Sequence, residues 1–232
     1  FVRQPQVRFT RGGFQVAVET SETTLTPWEE SGRQDSGNAV VPDIVARYNL
    51  DGDWGHVSAA GILRRLNHEF EDGAGVIVNE TETGFGLTVG GLVNFLERDD
   101  IRFQATAGNG LGRYLALNFL NGAQILEDET LEPVGSISGF VGVRHWWTEQ
   151  WRSNANVSFL QADNDPALSI GGVNDSAWSA SINLIYSPVP GLDFGMEFMH
   201  AVRELQDGTP GSFERLQFSG KYAFSFAAEG GG

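Results

Sequence analysis

Apolar and polar side chains alternate with a period of two along most of the 232-residue chain. The alternation is clearest between residues 214 and 226, where the even positions are mainly aromatic or aliphatic and the odd positions are polar or basic. A period of two places successive side chains on opposite faces of a β-strand. The pattern therefore predicts strands that each have one apolar face and one polar face.

About eleven stretches follow this pattern, or twelve if one strand is missed, so the predicted fold is all-β. The predicted strands span residues 2–10, 14–20, 41–50, 54–66, 83–96, 101–109, 132–147, 151–161, 176–187, 191–204 and 212–226. Short turns lie at residues 11–13, 51–53, 98–100, 148–150 and 188–190, and long connections near 21–40, 67–82, 110–131 and 162–175, with a shorter one at 207–211. Short turns at one rim and long loops at the other are typical of an antiparallel transmembrane β-barrel.

Aromatic residues concentrate at the ends of the predicted strands, as in the girdles that such barrels place at the membrane interface. The predicted lipid-facing girdle consists of Trp54, Trp147, Tyr186, Tyr222, Phe224 and Phe226. Several predicted strands have ten or more residues, which suits a tilted bilayer crossing better than the ~5–6 residues of most soluble strands. A soluble β-sandwich or carbohydrate-binding β-domain would also alternate, and is the alternative fold.

Composition and charge exclude several classes of protein. Thirty acidic residues against fifteen basic ones give a net charge of −15, whereas proteins that bind nucleic acids present a basic surface. The chain has no cysteine, so it has no disulfide, thiolate nucleophile or cysteine metal site. No apolar run approaches the ~18 residues that a membrane-spanning helix needs. The first residues also lack the features of a signal peptide.

Nine of the fifteen basic residues share the polar face of their strands and the rest lie mostly in turns or loops, while the acidic residues concentrate in the long loops. The predicted channel-lining basic residues are Arg8, Arg47, Arg64, Arg102, Arg144, Arg152, Arg203, Arg215 and Lys221, and the predicted hydrogen-bonding wall consists of Gln4, Gln6, Asn154, Asn156 and Gln217. Arginines in a narrow, water-filled lumen lower the barrier for anions. The alternative is that these arginines pair with inward acids such as Asp43, Asp193 and Glu197 and only stabilise the wall.

The sequence offers no catalytic constellation. His56, His68, His145 and His200 are scattered along the chain, and a G-x-S-x-G nucleophile elbow is absent. Glu197 and His200 are three residues apart, so on a strand they lie on opposite faces. They therefore cannot bind the same metal ion. We predict no enzymatic activity, no metal site and no cofactor.

Several segments resemble, in order and spacing, the DcaP-like outer-membrane porins of proteobacteria. These segments are residues 1–9 (FVRQPQVRF), 144–147 (RHWW), 151–154 (WRSN), 186–188 (YSP) and 215–224 (RLQFSGKYAF). The resemblance implies a trimeric porin of sixteen strands in the Gram-negative outer membrane. Such a porin contacts outer-membrane lipid and lipopolysaccharide and passes small anions such as dicarboxylic or aromatic acids. In that family the segment like 1–9 follows several earlier strands, which agrees with an odd strand count.

The sequence therefore predicts a β-barrel porin domain over residues 1–226, followed by a linker or tail at 227–232. Its predicted function is passive diffusion of small hydrophilic solutes with a preference for anions. The alternative function is a non-conducting structural or adhesive barrel that binds partners through its acidic loops.

Overall fold

The computed structural model describes residues 4–36, 41–115, 119–165 and 172–224. The strands are β1 (Gln6–Arg11), β2 (Phe14–Glu19), β3 (Thr23–Thr26), β4 (Gln34–Ser36), β5 (Asp43–Gly52), β6 (Gly55–Glu71), β7 (Ile77–Asn94), β8 (Asp100–Asn109), β9 (Ala123–Ile125), β10 (Leu131–Pro133), β11 (Gly135–Trp146), β12 (Trp151–Asp163), β13 (Asn174–Val189), β14 (Leu192–Leu205) and β15 (Pro210–Tyr222). A 3-10 helix covers Gly112–Tyr114. No helix in these described ranges is long and apolar enough to cross a membrane.

Eleven long strands form one sheet in the order β1-β2-β5-β6-β7-β8-β11-β12-β13-β14-β15. All of its pairings are antiparallel. The four short strands form a second sheet, in the order β10-β9-β3-β4, which we call the cap sheet. The predicted all-β, antiparallel fold is confirmed. Between residues 4 and 224, β1 and β15 are the edges of the long sheet, and no pairing of one with the other is found in the described part of the chain.

Two predicted boundaries were wrong. The connection near 67–82 is a continuation of the β6–β7 hairpin, paired out to Glu71 and Ile77, with a turn in which Asp72 Oδ1 accepts the N–H groups of Ala74 and Val76. Apart from Phe70, Ile77 and Val78, the paired residues of this part of the hairpin are polar, so it shows no regular alternation of apolar and polar residues. The predicted strand 132–147 is two strands, because the chain leaves the cap sheet after β10 and enters the long sheet at β11. Strands β3, β4 and β9 lie in regions predicted as loops and are too short to show a period.

The pairing register sorts the side chains of the long sheet onto two faces, because directly opposed residues of neighbouring strands share a face. One row of opposed residues runs through Gly90, Gln104, Phe140, Ser158, Ser179, Ala201 and Phe213. We call the face that carries this row the inner face. The opposite, outer face carries most of the exposed large apolar residues, among them Leu87 and Phe218, each 70% exposed.

The segment between β8 and β11, described at 110–115 and 119–134, lies on the inner face, and we call it the inner loop. Its leucines pack against Leu160 on β12 and against Ile62 on β6. On a flat sheet these two strands, four steps apart, would be separated by about 19 Å. Their contact with one apolar cluster indicates that the sheet curls around the inner loop. A second cluster joins the cap sheet to Leu66, which is fully buried.

Leu111 of the inner loop sits where the sheet carries no side chains. Gly86 and Gly108 are directly opposed on β7 and β8, and Leu111 is only 2% exposed. A Cβ on Gly86 would lie 2.5 Å from Leu111 Cδ2, and one on Gly108 would lie 2.3 Å from the carbonyl oxygen of Phe85. The two glycines therefore bring the backbones of β7 and β8 close together and seat the loop.

The glycine pair gives a test of the fold. Gly108→Ala should lower the free energy of unfolding by about 1–3 kcal/mol, because the added methyl group meets backbone atoms that cannot turn away. The measurement is a denaturant titration of the protein in detergent micelles. Gly220→Ala is the matched control, since its Cβ would meet only the Phe194 ring, at 3.8 Å. Equal losses in the two variants would contradict the close approach at Gly108.

Candidate channel-lining face

The register places every predicted channel-lining residue that belongs to a paired strand on the inner face. Gln4 precedes β1, and its side chain reaches the same side, where Nε2 donates to the Tyr114 hydroxyl at 3.0 Å. The face thus brings together groups from strands that are far apart in sequence. Their role in solute passage stays a prediction.

Several of the basic side chains pair with acids on the same face, including the three acids named in the alternative interpretation. Arg152 contacts Asp193 at 3.2 Å, and Lys221 stands opposite the same aspartate. Arg215 contacts Glu197 at 3.0 Å. The third pair, Arg64 and Asp43, is buried and is described below. These contacts join strands of the sheet, and the Arg152–Asp193 pair spans β13, so much of the inner charge is neutralised within the wall.

Other basic groups on the inner face keep net positive charge. Arg102 Nε contacts Asp100 at 3.0 Å, but Arg144 shares that carboxylate, so the trio carries one excess positive charge. Among the described residues, no acid contacts Arg8, Arg47 or Arg203. Arg47 Nε donates to Asn49 Oδ1 at 2.7 Å, a neutral partner.

Two adjacent cavities open along the inner face beside these groups. The smaller, of about 500 Å³, is lined by Arg47 and Arg102 together with His56, Ser58 and Thr88. The larger, of about 770 Å³, lies under the inner loop and is lined by Arg203 and several serines. Gln104 and Phe140 line both cavities, so the two are neighbours. A solute on this face would therefore meet positive charge in each.

Arg64 differs from the other predicted lining arginines because its side chain is only 1% exposed. Its Nε contacts Asp43 Oδ2 at 3.1 Å. Nη1 donates to the carbonyl oxygens of Gly110 and Leu111, at 2.7 and 3.1 Å, and Nη2 to that of Glu22, at 2.7 Å. Burying a charge is costly unless it is paired and hydrogen-bonded. Arg64 meets both conditions, and it attaches the inner loop to the sheet instead of facing solvent.

Two loop residues, Arg113 and Tyr114, complete this attachment, and sequence analysis missed both. Arg113 Nη1 donates to Glu22 Oε2 at 2.6 Å, and the Tyr114 hydroxyl donates to Asp43 Oδ2 at 2.8 Å. We call Asp43, Arg64, Arg113 and Tyr114 the latch. The loop shows no strand alternation that would assign these side chains to a face. The only available signal was Asp43, at an inward position without a stated partner.

Burial raises the pKa of the Tyr114 phenol to about 12, and the negative charge of Asp43 acts in the same direction. The folded state therefore favours the neutral phenol, which is the form that donates to Asp43. The hydrogen bond contributes fully below the ordinary tyrosine pKa of ~10 and is lost only as the pH rises through the raised value.

The aromatic residues predicted for the girdle lie near the short turns, at one rim of the sheet. Trp54 and Trp147 belong to turns, and Tyr186 stacks on Trp151 with 4.5 Å between ring centroids. Tyr222 and Phe224 stack at 6.0 Å, whereas Phe226 lies outside the described residues. At the same rim, hydrogen bonds from His145 and from the Trp146 N–H lower the pKa of the Asp99 carboxyl.

Within the described ranges, no group of three or more His, Asp or Glu residues is arranged to hold a metal ion.

The latch gives a prediction about the inner loop that the absence of cysteine makes easy to test. A reporter, Leu115→Cys, places a thiol at a site that is 5% exposed. Adding Arg64→Ala leaves Asp43 as a buried charge with less compensation, which costs ~3–5 kcal/mol. The rate of maleimide labelling should therefore rise by at least about tenfold. Arg65→Ala is the control, because Arg65 is exposed and donates to Thr81 Oγ1 on the β6–β7 hairpin, away from the latch. Equal rates in both variants would refute the latch.

Tyr114 gives a second prediction. The ultraviolet absorbance of phenolate, followed against pH, should contain a component that titrates at about 12. Tyr114→Phe should remove that component and leave the rest of the titration unchanged. If the difference between the two curves titrates near the ordinary value of ~10, Tyr114 is not buried against Asp43.

Comparison with known proteins shows which solved structures share this fold. No protein-family model and no curated protein matches the chain. Among solved structures, the outer membrane channel DcaP of Acinetobacter baumannii matches with a TM-score of 0.75 and 20% identity, over 95% of this chain and 62% of that chain. OmpT, an outer membrane protein of Vibrio cholerae, matches with a TM-score of 0.47 and 8% identity, over 94% and 63% respectively. The chain spans less than two thirds of either protein. Its long antiparallel sheet therefore has the same fold as the matched part of the outer membrane channel DcaP.

Proposed function

We propose that the chain forms a channel in the outer membrane of a Gram-negative bacterium and passes small hydrophilic solutes by passive diffusion, with a preference for anions. The observation that carries the proposal is the division of one curled sheet into an apolar outer face and a polar, arginine-bearing inner face. No covalent chemistry is part of this function.

The outer face supports a location in lipid. Leu87, Ile182 and Phe218 are 70%, 57% and 70% exposed, and similar exposed residues occupy the outer face of all other strands of the long sheet except β8. Soluble monomers rarely expose apolar patches larger than a few hundred Å². In a bilayer, lipid covers the apolar outer face, so its exposure to water no longer costs free energy. The aromatic rim near the short turns suits the interface between hydrocarbon and water.

The inner face supports passage of polar solutes. Its cavities are lined by hydroxyl and amide groups such as Ser58, Thr88 and Gln104, which replace some of the hydrogen bonds that a solute loses when it leaves water. Farther along the face, Asn154 Nδ2 donates to Asn183 Oδ1 at 2.9 Å, so part of the wall is already satisfied. A wall of this kind binds a solute weakly enough to release it.

The anion preference rests on Arg47, Arg102 and Arg203. Each lines one of the two cavities, and none is neutralised one-to-one by an acid among the described residues. Arginine presents a planar fork that matches carboxylate groups. Dicarboxylic and aromatic acids are the proposed solutes, in keeping with the porin-like segments of the sequence. A homotrimer and contact with lipopolysaccharide belong to the same proposal.

One observation favours a second candidate, a non-conducting barrel that binds partners through its acidic loops. The inner loop covers part of the inner face, and the latch holds it there. The cavities beside Arg47 and Arg203 nevertheless leave space along the face. Stable current steps in a planar bilayer support the channel, and insertion without current supports the plugged barrel.

Selectivity gives the test of the preferred function. Changing Arg47, Arg102 and Arg203 together to serine should reduce the ratio of anion to cation permeability by about tenfold, since each charge contributes a fraction of a kcal/mol in a wet pore. The reversal potential in a salt gradient measures this ratio. Arg65→Ser is the matched control, because its side chain lies away from the cavities. A reversal potential that stays constant in the triple variant would refute the arginine assignment.

A further inference from the structure

The larger cavity contains apolar groups that a purely charge-selective pore does not require. Phe140 and Phe213 are on the inner face, yet they are 41% and 53% exposed. Both line the cavity under the inner loop. Nearly all other exposed large apolar residues of the long strands are on the outer face, where lipid can cover them. These two rings are large apolar groups of the inner face that no lipid and no packing partner in the described part of the chain covers, so they are available to a solute.

The two rings stand at opposite ends of a floor of small side chains. Phe140 and Phe213 belong to the same cross-strand row, and the positions between them are Ser158, Ser179 and Ala201. The hydroxyl groups of Ser158 and Ser179 lie 2.8 Å apart and bond to each other. These small side chains leave space above the sheet, and the two serine hydroxyl groups already have each other as hydrogen-bond partners.

The inner loop provides the roof of this cavity. Tyr114, Leu115 and Phe119 line it from above, and Leu115 and Phe119 belong to the apolar cluster that fixes the loop on the sheet. A low floor, an apolar roof and a phenyl ring at each end define a slot of about 770 Å³. This volume is within the range of sites for small molecules.

The slot also has a positive charge. Arg203 lines it and is opposed across the strands by Ala177 and Gly211, neither of which can neutralise it. A solute with a flat apolar part and a carboxylate would place its charge on Arg203 and its ring against Phe213 on the neighbouring strand, and would meet Phe140 at the other end of the slot. A compact anion could use only the charge.

We propose that this slot sorts anions by their apolar part, and that Phe140 and Phe213 are its specificity-determining residues. The inference rests on the proposed channel function and deepens it. Phe140 also lines the cavity that contains Arg47 and Arg102, so a solute that moves between the two cavities passes this ring. Stacking on Phe140 therefore favours planar aromatic anions over compact anions of equal charge.

The first test compares the permeability of benzoate with that of acetate, measured from reversal potentials under bi-ionic conditions. Phe140→Leu keeps an apolar side chain but removes the ring face, and should lower the ratio of benzoate to acetate permeability by about two- to tenfold, the range expected for one aromatic contact. Phe213→Leu should lower it in the same direction. Phe218→Leu is the matched control, because Phe218 lies on the outer face of β15 and lines neither cavity, so the ratio should stay unchanged.

A second test does not depend on conduction. Line broadening of 4-fluorobenzoate in fluorine NMR, with the protein in detergent micelles, reports binding to the slot, and Phe140→Leu should weaken it. Binding by a protein that carries no current would overturn the channel function and leave the slot in place. Current with a benzoate ratio that is equal in wild type and Phe140→Leu would overturn the slot and leave the channel in place. Absence of 4-fluorobenzoate binding would overturn the slot directly.

Discussion

The pairing register of the long sheet is the constraint on which the rest of the structure depends. Successive side chains of a strand point to opposite faces, so a slip of one residue would move the apolar set of that strand to the inner face and its polar set outward. The register is continuous from Glu71 and Ile77 at one end of the β6–β7 hairpin to Gly55 and Val93 at the other. It places Leu87 in the outer belt and Thr88 beside the inner cavity, although the two residues are adjacent in sequence.

The inner loop binds to the polar inner face of the sheet. Arg64 and Asp43 would be costly to bury separately, but together they satisfy each other and bind the backbone of the loop. Leu111 then fits over bare backbone at Gly86 and Gly108. A charged latch on one side and an apolar seat on the other therefore fix the loop, and the space left beside it determines where Arg47, Arg102 and Arg203 can meet a solute.

Much of this architecture could be predicted from the sequence because it depends on local alternation. The alternation of positions within each predicted strand assigned Arg102 and Gln217 to the polar face and Phe218 to the apolar face. The pairing register of the structure agrees. Long-range partners could not be predicted in this way. Arg113 and Tyr114 lie in an aperiodic loop, and their contact with Asp43 depends on how the sheet curls. For the same reason, the alternation within strands could not distinguish Arg64, which is buried in the latch, from Arg102, whose side chain is 53% exposed.

The most direct test of the account is a scan of single cysteines along β15, with a spin label attached at each position in lipid vesicles. The account predicts a period of two: labels at residues 216, 218 and 222 collide mainly with oxygen dissolved in lipid, and labels at 215, 217 and 219 collide mainly with a water-soluble nickel chelate. Equal access of the water-soluble reagent to both sets would contradict the division into a lipid-facing and a solute-facing side.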